Sequence, residues 1–159
     1  MNIELLQQHL IQWARASRIA SQNAILPTCR EFDLTYQQFT ILTELSRTDG
    51  LSAGELSDRA CILRSNFAAV ARKLEKRGLL QQNKSQEDRR YSLLQLTPEG
   101  EQLVQKMFIW MEQRYGHVFL ELSDETGEAL ARGTEAAEQI ALQIEKVNLR
   151  QDQEAEALL

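Results

Sequence analysis

The sequence predicts an all-α fold carrying one small β-wing, and three observations support that expectation. Glycine and proline are scarce, seven and two in 159 residues, which favours long helices over a turn-rich β architecture. Apolar residues recur at helical spacing along most of the chain, interrupted by helix-start signals of the Ser/Thr-x-x-Glu/Gln kind. Two strand-like runs, residues 79–82 and 91–96, enclose the polar stretch 83–90, as a hairpin with a charged tip would. The length suits one domain with a proper core.

The first helix is expected from Ile3 to about Phe32, through Leu6, Leu10, Trp13, Ala14, Ser17, Ala20, Ala24 and Leu26, with a kink or end at Pro27. Two capping boxes follow. Thr35 with Gln38 opens a helix with Phe39, Leu42 and Leu45 on one face, and Ser52 with Glu55 opens a short one through Ala60 with Leu56 inward. A third helix spans about Ser65 to Arg77, where Gly78 stops it as a C′ glycine does. After the hairpin, Thr97 caps a helix with Pro98 at its first position, running to about Leu120 through Leu103, Met107, Trp110, Met111 and Val118. Ser123 opens the last helix, whose Leu130, Ala137, Ile140, Ile144 and Val147 are spaced like a coiled-coil seam. Residues 151–159 read as a flexible acidic tail.

Charge is distributed unevenly. Residues 59–90 hold nine Lys/Arg and three Asp/Glu, a local +6, and the remainder carries −11 of the total −5. A basic middle between acidic ends fits a module that meets double-stranded DNA. No apolar run is long enough for a signal peptide or a membrane span, so a cytoplasmic protein without membrane contact is expected. Two cysteines and two histidines, none at zinc-ligand spacing, give no metal site and no cofactor. A P-loop, a Gly-rich dinucleotide turn, a G-x-S-x-G elbow and a Cys/His pair are all missing, so catalytic residues are not expected and the chain reads as no enzyme.

Three short helices followed by a charged hairpin make a winged helix-turn-helix, in which the third helix enters the major groove. Phe67, Val70, Ala71 and Leu74 gather on one side of it, within a sector of about 100°. The other side and its margins present Ser65, Asn66, Ala68, Ala69, Arg72, Lys73 and Lys76, with Arg64 just before. Small residues there admit close approach, and Arg and Asn can pair with base edges. Lys84, Arg89 and Arg90 belong to the wing, where an Arg can enter the minor groove and Asp88 can orient it.

The run Leu79-Leu80, Glu87-Asp88-Arg89-Arg90 and Leu96-Thr97-Pro98-Glu99-Gly100, following Leu74-Glu75-Lys76-Arg77-Gly78, resembles the wing signature of the MarR (multiple antibiotic resistance regulator) family. The likeness extends over nearly the whole chain. It implies a homodimeric repressor of a pseudo-palindromic operator, relieved by a small ligand. Residues 34–97 would form the DNA-binding lobe, and residues 1–33 and 98–150 the dimerisation helices of a single MarR-type domain. Ala60 to Ser65, Pro27, Gln37-Gln38, Arg114 and Tyr115 are similar to the branch that regulates homoprotocatechuate and hydroxyphenylacetate catabolism. Phe39 stands where that branch usually has Trp, and Thr43 where it has an Arg beside the ligand. The resemblance implies an aromatic effector near Trp13, Phe39, Thr43, Met111 and Tyr115, whereas helical spacing alone reads such aromatics as core. Cys29 and Cys61 are expected to be small buried hydrophobes and not redox sensors.

Overall fold

The computed structural model describes residues 2–84 and 92–156. The elements in chain order are α1 (Ile3–Ala20), a π-helical turn (Ser21–Ile25), α2 (Leu26–Glu31), α3 (Tyr36–Leu45), α4 (Ala53–Arg59), α5 (Arg64–Lys76), β1 (Leu80–Lys84), β2 (Ser92–Leu96), α6 (Pro98–Leu120) and α7 (Asp124–Glu156). They cluster into two compact units, one spanning Arg15–Gly116 and the other Met1–Ala14 with His117–Leu159. The fold is the expected one, helical throughout apart from an antiparallel β-wing whose register runs from Leu80 opposite Leu96 to Lys84 opposite Ser92.

In the Arg15–Gly116 unit, α3 is the central post. Its Ile41, Leu42 and Leu45 are buried, and α4, α5 and β2 pack around it. Leu56, Leu74 and Met107 complete the innermost layer, from α4, α5 and α6. Both capping boxes form as expected. Thr35 Oγ1 accepts from the Gln38 N–H while Gln38 Oε1 accepts from the Thr35 N–H. Ser52 and Glu55 reciprocate in the same way at α4. Such caps satisfy amides that the first helical turn leaves orphaned.

Helix ends show one expected and two unexpected turns. At Gly78 (φ +69°), the Gly78 N–H reaches Glu75 O and the Leu79 N–H reaches Leu74 O, which is a complete Schellman closure of α5. The same bond pattern closes α2 at Asp33 (φ 49°) and α4 at Cys61 (φ 51°). Cys61 is therefore exposed, against the expectation of a core position, because the C′ residue of this motif points to solvent. The buried role passes to its neighbour Ile62, whose carbonyl accepts from the buried Ser57 hydroxyl at 2.7 Å.

The first helix runs on through Pro27 to Glu31, with a π-helical turn just before the proline in place of the expected end. Proline has no N–H for the Asn23 carbonyl four residues earlier. The chain responds with the π-helical turn, and the Tyr115 hydroxyl donates to Asn23 O at 3.0 Å. The wing also has a third participant, since Leu51 exchanges backbone hydrogen bonds with Leu94 at 3.1 and 2.8 Å.

In the second unit, α7 carries a lengthwise apolar stripe. Ala137 is buried, whereas Leu130, Ile140, Ile144 and Val147 are exposed. Among the described residues, no helix is long and apolar enough to cross a membrane.

Candidate nucleic-acid interface

Amphipathicity fixes which face of α5 is outward. Phe67, Ala71 and Leu74 are buried against the lobe core and Val70 is half-buried, so the opposite face is fixed outward. Arg64, Ser65, Asn66, Ala68, Ala69, Arg72, Lys73 and Lys76 are all exposed there. Arg64 is tethered at the start of the helix by Asp58 of α4, 3.3 Å away, with both side chains more than half exposed. Arg72 Nε donates to the Ala68 carbonyl at 3.1 Å, which lays the side chain back along the helix. Lys84 is exposed at the end of β1, two residues beyond the strand end expected from the sequence. Asp88, Arg89 and Arg90 lie outside the described residues.

Five hydrogen bonds hold the wing base. Thr97 Oγ1 donates to Gly78 O at 2.6 Å and accepts from the Gly100 N–H at 3.0 Å, while the Thr97 N–H donates to Leu79 O at 3.2 Å. Asn83 Nδ2 donates to Gln95 Oε1 at 2.6 Å across the strands, and Gln95 Nε2 donates to Asp49 O at 2.5 Å. The end of α5, both strands and the start of α6 thus form one junction.

The expected effector residues divide. Phe39 is a buried core member, and Met111 packs half-buried against the same core. Thr43 is half-buried with its hydroxyl donating to the carbonyls of Phe39 and Thr40, at 3.0 and 3.1 Å. Tyr115 is half-buried, stacked edge-on against Trp110 with ring centroids 6.1 Å apart. Trp13 belongs to the other unit and is 37% exposed. A cleft of about 930 Å³ in the Arg15–Gly116 unit has other walls, among them Leu45, Thr48, Gln95, Val104, Phe108 and Glu112. Spacing rules did not reveal it, since its walls come from four separate elements.

No group of His, Cys, Asp or Glu among the described residues could hold a metal ion. Burial pushes the Cys29 thiol above its ordinary pKa, only partly offset by a backbone hydrogen bond, which keeps it protonated and unreactive.

A model of the MarR family matches residues 34–91, which hold the exposed face of α5 and most of the wing. The transcriptional regulator FarR of Neisseria gonorrhoeae is 32% identical over 99 residues, covering 62% of this chain and 68% of that protein. The chain belongs to the MarR family. As a MarR-family member it is a transcriptional regulator built on the winged helix-turn-helix fold. The structure of NadR in complex with 4-hydroxyphenylacetate superposes with a TM-score of 0.70 at 29% identity, covering 80% of this chain and 90% of that one. The likeness to the hydroxyphenylacetate branch expected from the sequence is thus found in a solved structure. The repressor CouR, bound to a 23-mer DNA duplex, superposes at 0.63 with 26% identity, covering 89% of this MarR-family chain and 98% of that one.

Proposed function

We propose that this regulator is a homodimeric repressor that reads a pseudo-palindromic operator through the exposed face of α5. The observation that carries the reading is that face itself. Small and polar side chains at its start (Ser65, Asn66, Ala68, Ala69) leave room for base edges, and Arg72, Lys73 and Lys76 follow within reach of bases and phosphates. CouR, similar over most of its length, is a repressor bound to duplex DNA. Arg64, Lys84, Arg89 and Arg90 would add backbone and minor-groove contacts, with Asp88 orienting an arginine. A DNA reader of this kind works in the cytoplasm.

The uncovered stripe of Leu130, Ile140, Ile144 and Val147 on α7 supports dimerisation, because a lone chain leaves it in water. Two recognition helices about 34 Å apart would then meet successive turns of one DNA face. An aromatic effector near Phe39, Thr43, Met111 and Tyr115 would shift the population of lobe arrangements and so release the operator. The NadR complex with 4-hydroxyphenylacetate supports that ligand class.

The test is binding of the full chain to genomic fragments across a salt series, alongside sedimentation. The reading predicts a dimer whose log affinity falls by about 0.9 for each neutralised phosphate per log unit of salt. A flat salt response would point instead to a protein-binding winged helix.

A further inference from the structure

Arg77 closes α5, and its guanidinium points away from the reading face. Nη1 donates to Asp33 O at 2.7 Å and Nη2 to Phe32 O at 3.4 Å. Both acceptors lie in the turn that ends α2, where Asp33 sits in the left-handed region and Leu34 N–H closes onto Cys29 O at 2.8 Å. Carbonyls at a helix C-terminus carry the negative end of the helix dipole, which favours a cation there. The planar fork of Arg can span two such oxygens, whereas the single ammonium of Lys cannot reproduce that geometry.

The α2 turn is itself braced. The Phe32 ring stands edge-on to Trp110 of α6, with centroids 6.3 Å apart and planes at 81°. Trp110 stands likewise against Tyr115, and Arg114 lies 5.3 Å above the Trp110 ring. Tyr115 in turn donates to the Asn23 carbonyl that Pro27 leaves without an N–H. One unbroken set of interactions therefore links the π-helical turn, α6, the α2 turn and the end of α5, all inside the Arg15–Gly116 unit.

We propose that Arg77 is a positioning residue for DNA reading: it touches no phosphate, and instead fixes the end of α5 on the α2 turn so that the reading face is held at one tilt. The proposal rests on the reading that α5 binds DNA. Within the basic segment 59–90, Arg77 is thus a cation that serves the fold and not the nucleic acid.

The experiment measures the affinity of the full chain for a duplex selected by the parent protein, across a salt series and corrected for active fraction by stoichiometric titration. Variants are Arg77→Ala and Arg77→Lys, with Lys73→Ala as the phosphate-binding control. Losing two charge-assisted hydrogen bonds should weaken binding by about tenfold at every salt concentration, with the parental salt slope unchanged. Lys73→Ala should instead flatten the slope by about 0.9 for each phosphate it no longer neutralises. Should Arg77→Ala fail to fold, Arg77→Gln, which also removes the charge, gives the slope comparison, whereas Arg77→Lys keeps the charge and should lose affinity through the missing fork alone. Hydrogen exchange at Leu34 and Leu79, the amides that close the two turns, supplies a second reading and should speed up at both sites. A flattened slope for an Arg77 variant overturns the proposal, because it makes Arg77 a phosphate ligand. Parental affinity with parental protection at Leu34 and Leu79 overturns it as well. A parent without salt-dependent binding is a separate result, seen before any variant is made, and it removes the DNA reading and this proposal together.

Discussion

Replacing Gly100 with alanine should destabilise the lobe far more than replacing Gly78, although Gly78 has the more unusual backbone. A Cβ on Gly100 would lie 2.2 Å from the Leu79 carbonyl oxygen and 3.3 Å from Leu96 Cδ2. Ordinary contact needs a separation of roughly 3.5 Å, so the backbones must part by about 1 Å. The same Leu79 oxygen accepts the Thr97 N–H, and the adjacent Gly78 oxygen accepts the Thr97 hydroxyl. Weakening those two bonds costs about 0.5–1.5 kcal/mol each. Overpacking adds about 1–3 kcal/mol, and the better helix propensity of alanine returns about 1. The net loss is about 1–5 kcal/mol, centred near 3. Gly78 has φ +69° and nothing within 4 Å of its added Cβ, so only backbone strain of about 1–2 kcal/mol applies. Urea unfolding at fixed protein concentration, followed by tryptophan fluorescence, compares the two. Gly100→Ala as stable as Gly78→Ala, or more so, would refute the close seating of α6 on the start of the wing.

Cys61→Gly should stabilise the protein by about 1 kcal/mol in the same assay, because glycine meets no penalty at φ 51°. Hydrogen bonds from the Ser52 hydroxyl, and then from its backbone N–H, hold the Glu55 carboxyl below the usual glutamate range. Its contribution to stability is therefore complete above about pH 4.3 and is lost as pH falls through the lower folded value. Glu55→Gln should remove that part of the acid dependence, as acid titration of the unfolding midpoint would reveal. Thr43→Arg should shift effector preference toward aromatic carboxylates, because it supplies a charged fork for the acid group. A panel of such acids titrated against DNA affinity reads this directly, and an unchanged ranking would count against the site.

Local chemistry made much of the fold legible. Thr35 with Gln38 and Ser52 with Glu55 announced two helix starts because a cap needs only residues three apart. Gly78 announced a stop, since a left-handed C′ favours glycine. The exposed face of α5 followed from periodicity alone, because Phe67, Ala71 and Leu74 can bury themselves only by turning Ser65, Arg72 and Lys76 outward. The turns at Asp33 and Cys61 were not legible, for the same rule looks for glycine and neither position has one. Nor was Arg77, whose carbonyl partners lie 44 and 45 residues away and belong to a turn the sequence did not mark. Pro27 predicted a kink or an end to the first helix, whereas the helix runs on with a π-helical turn before it, and the hydrogen bond from Tyr115 to Asn23 O, which spans 92 residues, depends on tertiary packing.

Binding-site selection with the parent protein and Arg72→Ala, at one fixed salt concentration, tests the central claim most directly. Arg72 stands exposed on the α5 face with Nε held by Ala68 O, so the rest of its guanidinium can address DNA. The account predicts that the parent enriches a two-fold-symmetric site with half-sites about 10 base pairs apart. Arg72→Ala should keep that symmetry and lose about 1–3 kcal/mol of preference at one position in each half-site. A parent that enriches no symmetric site, or an Arg72→Ala profile identical to the parent's at every position, would contradict the assignment of this face of α5 as the reading surface.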